Sequence, residues 1–200
     1  MSNNIPNEIQ KNRRSEYPIH PLILSRWSSR AMSGEEMTDS EIRTLFEAAR
    51  WAPSASNNQP WRFLYAKRNS QYWEVFFNLL TEGNQVWAKN AAVLVVIISA
   101  TISDYKSKPI PTHSFDTGAA WENLALEASH HGFIAHGMAG FDYEKARARL
   151  RIPKDYVVEA MIAVGKKGKK IDLPDKLQER EVPSDRRPLN EIIKEGKFQP

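Results

Sequence analysis

The segment Arg26-Trp27-Ser28-Ser29-Arg30 combines two arginines with two serine hydroxyls. Guanidinium groups and hydroxyls donate hydrogen bonds to phosphate oxygens, and the guanidinium adds positive charge. The apolar run at 22–24 just before it predicts a short helix that begins at His20-Pro21 and ends at these residues. The cluster therefore suits a phosphate monoester, although a surface helix cap has the same composition.

A second candidate binding element is the loop Pro53-Ser54-Ala55-Ser56-Asn57-Asn58-Gln59-Pro60-Trp61. It presents a dense row of amide and hydroxyl groups between two prolines, and these groups could recognise the polar edge of a heteroaromatic ring. Asn, Ser and Pro also make up ordinary turns. The composition alone leaves both interpretations open.

Helices and strands alternate along the part of the chain that must position these residues. The clearest boundary is at Thr38, where Glu41 completes a capping box and Met37 and Ile42 suit a hydrophobic staple. The helix that follows is predicted to stop before Pro53. Strands are predicted at 61–67, 91–100, 133–138 and 160–164, with 91–100 at the centre of the sheet, and further helices at 72–80, closed by 81–84, at 116–131 and at 143–150.

The chain divides into three parts by composition. Residues 1–19 are polar, lack periodicity and predict a flexible arm. Residues 20–170 predict one domain with its own core. Residues 171–200 are polar and contain four prolines, so we expect an extension that lies across another surface through Ile192 and Ile193.

Composition excludes several classes of function. The 200 residues contain no cysteine, which rules out disulfides, thiolate metal sites and a cysteine nucleophile. Residues 1–14 are polar and lack the apolar core of a signal sequence, and no apolar stretch approaches the length of a membrane helix, so we expect a cytoplasmic protein without a membrane partner. The net charge is +4, but both signs are interspersed, and nucleic-acid binding is not predicted.

The histidines and carboxylates do not predict a metal site. His130, His131 and His136 lack the spacing of a helical metal pair. His20 and His113 are predicted to be exposed loop residues. Asp116, Glu122 and Glu127 are predicted to lie on the polar surface of one helix, with no carboxylate pair for acid–base chemistry.

Five segments together resemble the nitroreductase family of FMN-dependent oxidoreductases, in the family's order along the chain. They are the arginine–serine segment 26–30, the loop 53–61, Gly83-Asn84-Gln85 with Trp87, Met138-Ala139-Gly140-Phe141-Asp142, and Arg186-Arg187-Pro188-Leu189. The loop is the most specific of the five. The resemblance covers residues 20–195.

The resemblance implies a fold and an activity. The fold would be α+β, with a mixed, largely antiparallel central sheet flanked by helices, in an intertwined homodimer whose carboxy-terminal extension crosses to the partner subunit. The protein would bind FMN in a site shared between subunits. NADH or NADPH would reduce the flavin, and a nitroaromatic, a quinone or a similar small acceptor would reoxidise it in a ping-pong reaction.

The resemblance also implies residue roles. Arg26, Ser28 and Arg186, with Arg187, would hold the FMN phosphate, and Arg30 would face the pyrimidine edge and favour the anionic reduced ring. The backbone near Gly140 would lie beside flavin N5, and no catalytic side chain is assigned. The remaining flavin contacts would come from Trp27, Pro53, Ser54, Ala55, Ser56, Asn57, Gln59, Asn84, Met138 and Ala139.

One position departs from the family pattern and leaves alternatives open. Many relatives have a glutamate immediately before the glycine, where this chain has Ala139. A non-catalytic flavin-binding or flavin-handling protein of the same fold is therefore an alternative. A nucleic-acid-binding module that uses 166–170 and the arginines at 147, 149 and 151 is a further one, and it predicts salt-sensitive binding without a chromophore.

Overall fold

A four-stranded sheet forms the centre of the molecule in the computed structural model, which describes residues 5–198. The strands are β1 (Trp61–Lys67), β2 (Val93–Ala100), β3 (Phe133–Met138) and β4 (Tyr156–Lys166), in the order β1-β2-β4-β3. The α+β prediction is confirmed. All three strand pairings within residues 5–198 are antiparallel, so the described sheet lacks the parallel component of a mixed sheet.

Helices cover both faces of this sheet. Their bounds are α1 Asn7–Asn12, α2 Pro21–Ser25, α3 Asp39–Arg50, α4 Trp73–Phe77, α5 Glu82–Ala88, α6 His113–His130, α7 Tyr143–Arg149, α8 Asp175–Gln178 and α9 Leu189–Ile192. The predicted start of α3 is confirmed, since Thr38 and Glu41 form the capping box. The predicted end of α6 is confirmed by Gly132, whose φ of 74° favours glycine.

The core has two layers because the central strand is buried on both faces. Leu94, Val96 and Ile98 of β2 pack into one cluster with Trp87 of α5. The alternate residues 93, 95 and 97 pack into a second cluster beneath α3 and α6. This alternation follows from the two-residue period of a strand, and it explains why the β2 sequence is apolar throughout.

The region 72–88 differs from its prediction. One helix was expected at 72–80, but α4 ends at Phe77 and a separate helix, α5, begins at Glu82. Leu80 forms a β-bridge with Phe141, so this part of the backbone pairs with a distant segment and cannot remain helical. Helical periodicity in the sequence was overridden by this tertiary contact. Asn84 consequently lies in the first turn of α5.

Three further differences concern element boundaries, and another concerns a whole helix. The helix expected up to residue 30 ends at Ser25, α6 begins at His113 instead of Asp116, and β4 extends to both sides of 160–164. The helix α1 was not predicted at all. Two residue environments were also wrong: His113 lies in a helix and not in a loop, and Asp116 is only 3% exposed.

Candidate functional site

The segment 26–30 has no regular secondary structure and follows directly on α2. A buried arginine of the amino-terminal segment, Arg13, donates hydrogen bonds to carbonyl groups at this junction. Its Nη1 donates to the carbonyl oxygens of Leu24 at 2.9 Å and Arg26 at 2.6 Å, and its Nε donates to that of Ser184 at 2.8 Å. Burial, and then the nearby charge of Arg186, lowers the pKa of Arg13. Arg13 thus joins both ends of the chain to the first predicted phosphate ligand.

The Arg26 side chain faces a cavity of about 750 Å³. Its Nε lies 3.4 Å from a carboxylate oxygen of Glu122, yet that buried nitrogen has no hydrogen-bond partner within the described part of the chain. Arg13, Arg14, Arg186 and Arg187 also line this cavity. The structure therefore brings three predicted phosphate ligands, Arg26, Arg186 and Arg187, to one cavity. Its lining has five arginines against three carboxylates, those of Glu16, Glu122 and Asp185, so this basic cavity suits an anion.

The second half of the segment is held by a buried carboxylate from the carboxy-terminal extension. Oε1 of Glu181 accepts hydrogen bonds from Ser29 Oγ at 2.5 Å, from the Arg30 amide at 2.7 Å and from the Ala31 amide at 3.0 Å. Glu181 is 3% exposed. Its Oε2 lies 3.9 Å from Arg30 Nη1 and has no hydrogen-bond partner among residues 5–198.

The segment is also joined to the sheet through His136 of β3. His136 Nδ1 lies 3.0 Å from the Ser29 carbonyl oxygen, and the imidazole packs against Trp87 with ring centroids 4.6 Å apart. Burial lowers the pKa of His136, and the charge of Arg30 acts in the same direction. A neutral imidazole that donates its Nδ1 proton to Ser29 satisfies this geometry.

The polar loop 53–60 has an unusual backbone. Ser56, Asn57 and Gln59 have φ values of 52°, 53° and 48°, in the left-handed region that residues other than glycine rarely adopt. Such conformations persist only where the surroundings impose them, and they cluster at functional sites. The loop therefore resembles a binding element more than an ordinary turn.

Side chains from several elements hold the loop in place. The amide of Ala55 donates to Oδ2 of the buried Asp116 at 3.1 Å. Within the loop, Ser54 Oγ accepts from the Gln59 amide at 3.0 Å. Asn58 Oδ1 accepts from Ser103 Oγ at 2.7 Å. These contacts fix the shape of the loop without any contribution from the chain termini.

Asn84 and Gly140, two further predicted site residues, are in direct contact. The Gly140 carbonyl accepts from Asn84 Nδ2 at 2.9 Å and from the amide and hydroxyl of Thr81, both at 3.0 Å. A Cβ atom at position 140 would lie 2.7 Å from Asn84 Nδ2, which no ordinary contact allows. Glycine therefore allows this contact, and a larger residue would displace the Asn84 side chain from the Gly140 carbonyl.

The predicted site residues thus form three groups in one chain. Arg26, Arg186 and Arg187 share the basic cavity, and Trp27 lines a smaller cavity of about 200 Å³ together with Arg26. Asn84 and Gly140 form a second group, with Met138 buried and Ala139 exposed just before Gly140. The loop forms the third: across residues 5–198, none of its members lines the basic cavity.

Three buried charged residues of the site were not recognised from the sequence: Arg13, Asp116 and Glu181. Each acts by holding a backbone segment that contains predicted ligands. Arg13 and Glu181 lie in polar terminal segments with no motif, and Asp116 lies on a helix that was predicted to expose it. An acidic residue in the first turn of a helix was the one available signal for Asp116.

The part of the chain that the structure describes was compared with the requirements of a metal site and of a membrane-spanning helix. Residues 5–198 contain no group of three or more His, Asp or Glu side chains arranged to hold a metal ion. No helix in that range is both long and apolar enough to span a membrane.

Comparison with known proteins identifies the family of this chain. The nitroreductase family model matches residues 23–166, which is most of the chain. The chain belongs to the nitroreductase family. A protein of Archaeoglobus fulgidus with the provisional name NADH dehydrogenase/NAD(P)H nitroreductase is 30% identical over 148 residues, which cover 72% of this chain and 82% of that protein. Protein DrgA of Synechocystis is 29% identical over 160 residues, with 66% and 75% covered.

Solved structures of nitroreductase-family proteins have the same fold. A crystal structure described as an oxidoreductase containing FMN is 50% identical, covers 100% of this chain and 99% of its own, and superposes with a TM-score of 0.90. A nitroreductase-like protein of Desulfovibrio desulfuricans, solved in complex with FMN, is 25% identical, covers 92% and 100%, and has a TM-score of 0.71.

Proposed function

We propose that this protein is a cytoplasmic FMN-dependent oxidoreductase that uses NADH or NADPH to reduce nitroaromatics, quinones or similar small electrophilic acceptors by a ping-pong reaction. The observation that carries the proposal is the buried Arg26 Nε, which lacks a hydrogen-bond partner within residues 5–198 and belongs to a side chain lining the same cavity as Arg186 and Arg187. A buried donor without a partner is costly, and a phosphate oxygen would satisfy it. The FMN contained in the structure that is 50% identical supports the same ligand.

The residues present fit each part of FMN. Arg26, Arg186 and Arg187 supply charge for the phosphate, with Ser28 as a further donor. The loop 53–59 supplies amide and hydroxyl groups for the ring and the ribityl chain, together with Asn84. When bound, FMN supplies the hydride chemistry, and the protein supplies position and electrostatics.

Two groups of this chain would act on the ring. The guanidinium of Arg30 is 23% exposed and would favour negative charge on the reduced ring. The carbonyl of Gly140 is fully occupied by Asn84 and Thr81, so the turn that contains its amide is held rigidly for a contact with flavin N5. These roles require no proton-transferring side chain, and the acceptor would use the same pocket as the nicotinamide.

We propose a homodimer because the loop lies apart from the basic cavity of its own chain. A second copy would bring its loop to that cavity, and each site would contain residues of both subunits. Within one chain the extension contacts its own arginine segment through Glu181, and the Ser184 carbonyl accepts a hydrogen bond from Arg13. The Leu189 amide donates to Glu16. We therefore propose that only residues 190–198 of the described extension cross to the partner subunit.

The test is titration of the unliganded protein with FMN, followed by flavin fluorescence. Arg26→Ala should weaken FMN binding by about 1.5–3 kcal/mol, or about 10- to 150-fold, the value of one charge-assisted contact. The matched control is Arg43→Ala, an exposed arginine of α3, which should bind like the wild type. Equal affinity in both variants would place the phosphate elsewhere, and a wild type that neither binds FMN nor quenches it would refute the proposal.

Ala139 favours a second candidate, the non-catalytic flavin-binding or flavin-handling protein, because no carboxylate is available there for a substrate contact. Anaerobic addition of NADH and NADPH to the FMN-loaded protein separates the two functions. Bleaching of the flavin absorbance, followed by its recovery with a quinone or nitroaromatic, supports the oxidoreductase. A flavin that stays oxidised with both nucleotides supports the alternative.

A further inference from the structure

Glu181 is a buried carboxylate that the proposed reaction does not use. It lies in the carboxy-terminal extension, outside the residues 23–166 that the family model matches. Its three donors belong to Ser29, Arg30 and Ala31, about 150 positions earlier in the chain. One side chain therefore accepts the backbone amides of both Arg30 and Ala31.

The charge of Glu181 is not needed for these hydrogen bonds. All three donors reach Oε1, and a neutral amide oxygen at the same place would still accept them, although more weakly than a carboxylate. Oε2 has no hydrogen-bond partner in the described structure, and the group closest to compensating it is the Arg30 guanidinium at 3.9 Å. Burying a carboxylate costs several kcal/mol unless opposite charge compensates it.

The negative charge of Glu181 also changes the electrostatic effect of Arg30. A negative charge beside Arg30 reduces the positive potential that its guanidinium projects away from Glu181. Any anion that Arg30 faces is stabilised less than it would be by an unpaired arginine. Hydrogen bonds to the backbone fix the position of Arg30, and the charge on the carboxylate adjusts its electrostatic effect.

We propose that Glu181 is a positioning residue that holds Arg30 at the flavin ring and, through its charge, weakens the preference of the site for reduced over oxidised FMN. This inference rests on the proposed function. Its electrostatic part concerns the two-electron couple of the bound flavin, and its structural part concerns the amides of Arg30 and Ala31 in the protein without flavin.

The experiment compares Glu181→Gln, Glu181→Ala and Ser29→Ala with the wild type. Glu179→Gln is the matched control because it removes one negative charge from an exposed residue of the same extension. For each protein, FMN affinity is measured by fluorescence titration and the midpoint potential by equilibration with a reference dye. Hydrogen exchange at the amides of residues 30 and 31 is measured without flavin.

Glu181→Gln should keep both amides protected and should raise the affinity for reduced relative to oxidised FMN about tenfold, the order expected for one charge in a partly dehydrated interior. For a two-electron couple this is a rise in potential of about 30 mV. Glu181→Ala should lose the amide protection and weaken FMN binding at least about tenfold, a defect that Gln rescues. Ser29→Ala and Glu179→Gln should leave the potential unchanged.

The outcomes separate this inference from the proposed function. A wild type that binds no FMN overturns both. If the wild type binds FMN but Glu181→Gln has the potential of Glu179→Gln, the electrostatic role is wrong and the function stands. If the amides of residues 30 and 31 stay protected in Glu181→Ala, the positioning role is wrong.

Discussion

The arginine segment 26–30 and the polar loop 53–60 both contain predicted flavin ligands, yet the chain holds them in different ways. The arginine segment is fixed by buried charged residues from both terminal parts of the chain, Arg13 and Glu181. The loop is fixed by contacts between its own residues and by Asp116 and Ser103. One half of the candidate site therefore depends on the chain ends, and the other depends on the central domain.

This difference shows that the residues that bind a ligand and the residues that hold them in position can lie in different parts of the chain. A segment whose ligands are motif residues can still depend on distant residues that belong to no motif. If the comparison is correct, loss of a terminal anchor should loosen the arginine segment and leave the loop intact. Loss of the loop anchor should have the opposite pattern.

The largest effect is expected for Arg13→Ala. This change removes donors to three carbonyl oxygens in a largely buried place, and we expect a loss of about 3 kcal/mol in the free energy of unfolding. Urea denaturation measures it. Hydrogen exchange should accelerate at 24–31 and not at 54–59. Arg14→Ala, at the adjacent exposed position, should cost less than about 0.5 kcal/mol. Equal losses in the two variants would contradict the anchoring role of Arg13.

A smaller effect, of about 2 kcal/mol, is expected for Asp116→Ala, because the amide of Ala55 and the hydroxyl of Thr112 both lose their acceptor. Faster exchange should now appear at 54–59, with 26–31 unchanged. Asp104→Ala removes an exposed carboxylate that pairs with Arg62, and should cost less than about 1 kcal/mol. Slow exchange of Ala55 in Asp116→Ala would show that the loop holds its own shape.

The same contrast, between features that depend on local sequence and features that depend on distant residues, explains what could be predicted from the sequence. The sheet strands and α3 follow from periodicity and capping, and the segments at 26–30 and 53–61 follow from side-chain chemistry. The break between α4 and α5 could not be predicted, because it depends on the bridge between Leu80 and Phe141. Glu181 could not be predicted either, since a single carboxylate in a polar tail gives no sign of burial.

The smallest effect concerns His136, which joins the arginine segment to the sheet. Burial lowers its pKa in the folded protein below the ordinary value of 6.5. As the pH falls below 6.5, the unfolded chain binds a proton at this position before the folded chain does. The contribution of His136 to the free energy of unfolding is therefore fully present above pH 6.5. It decreases below pH 6.5, by at most about 1.4 kcal/mol per pH unit.

Between pH 6.5 and 5.5, the wild type should accordingly lose stability through this residue, by at most about 1 kcal/mol. His136→Asn keeps a donor for the Ser29 carbonyl and cannot be protonated, so its stability should change less over this range, even if it is less stable throughout. His130→Asn replaces an exposed histidine and should retain the wild-type slope. Equal slopes for His136→Asn and the wild type would mean that His136 titrates alike in both states.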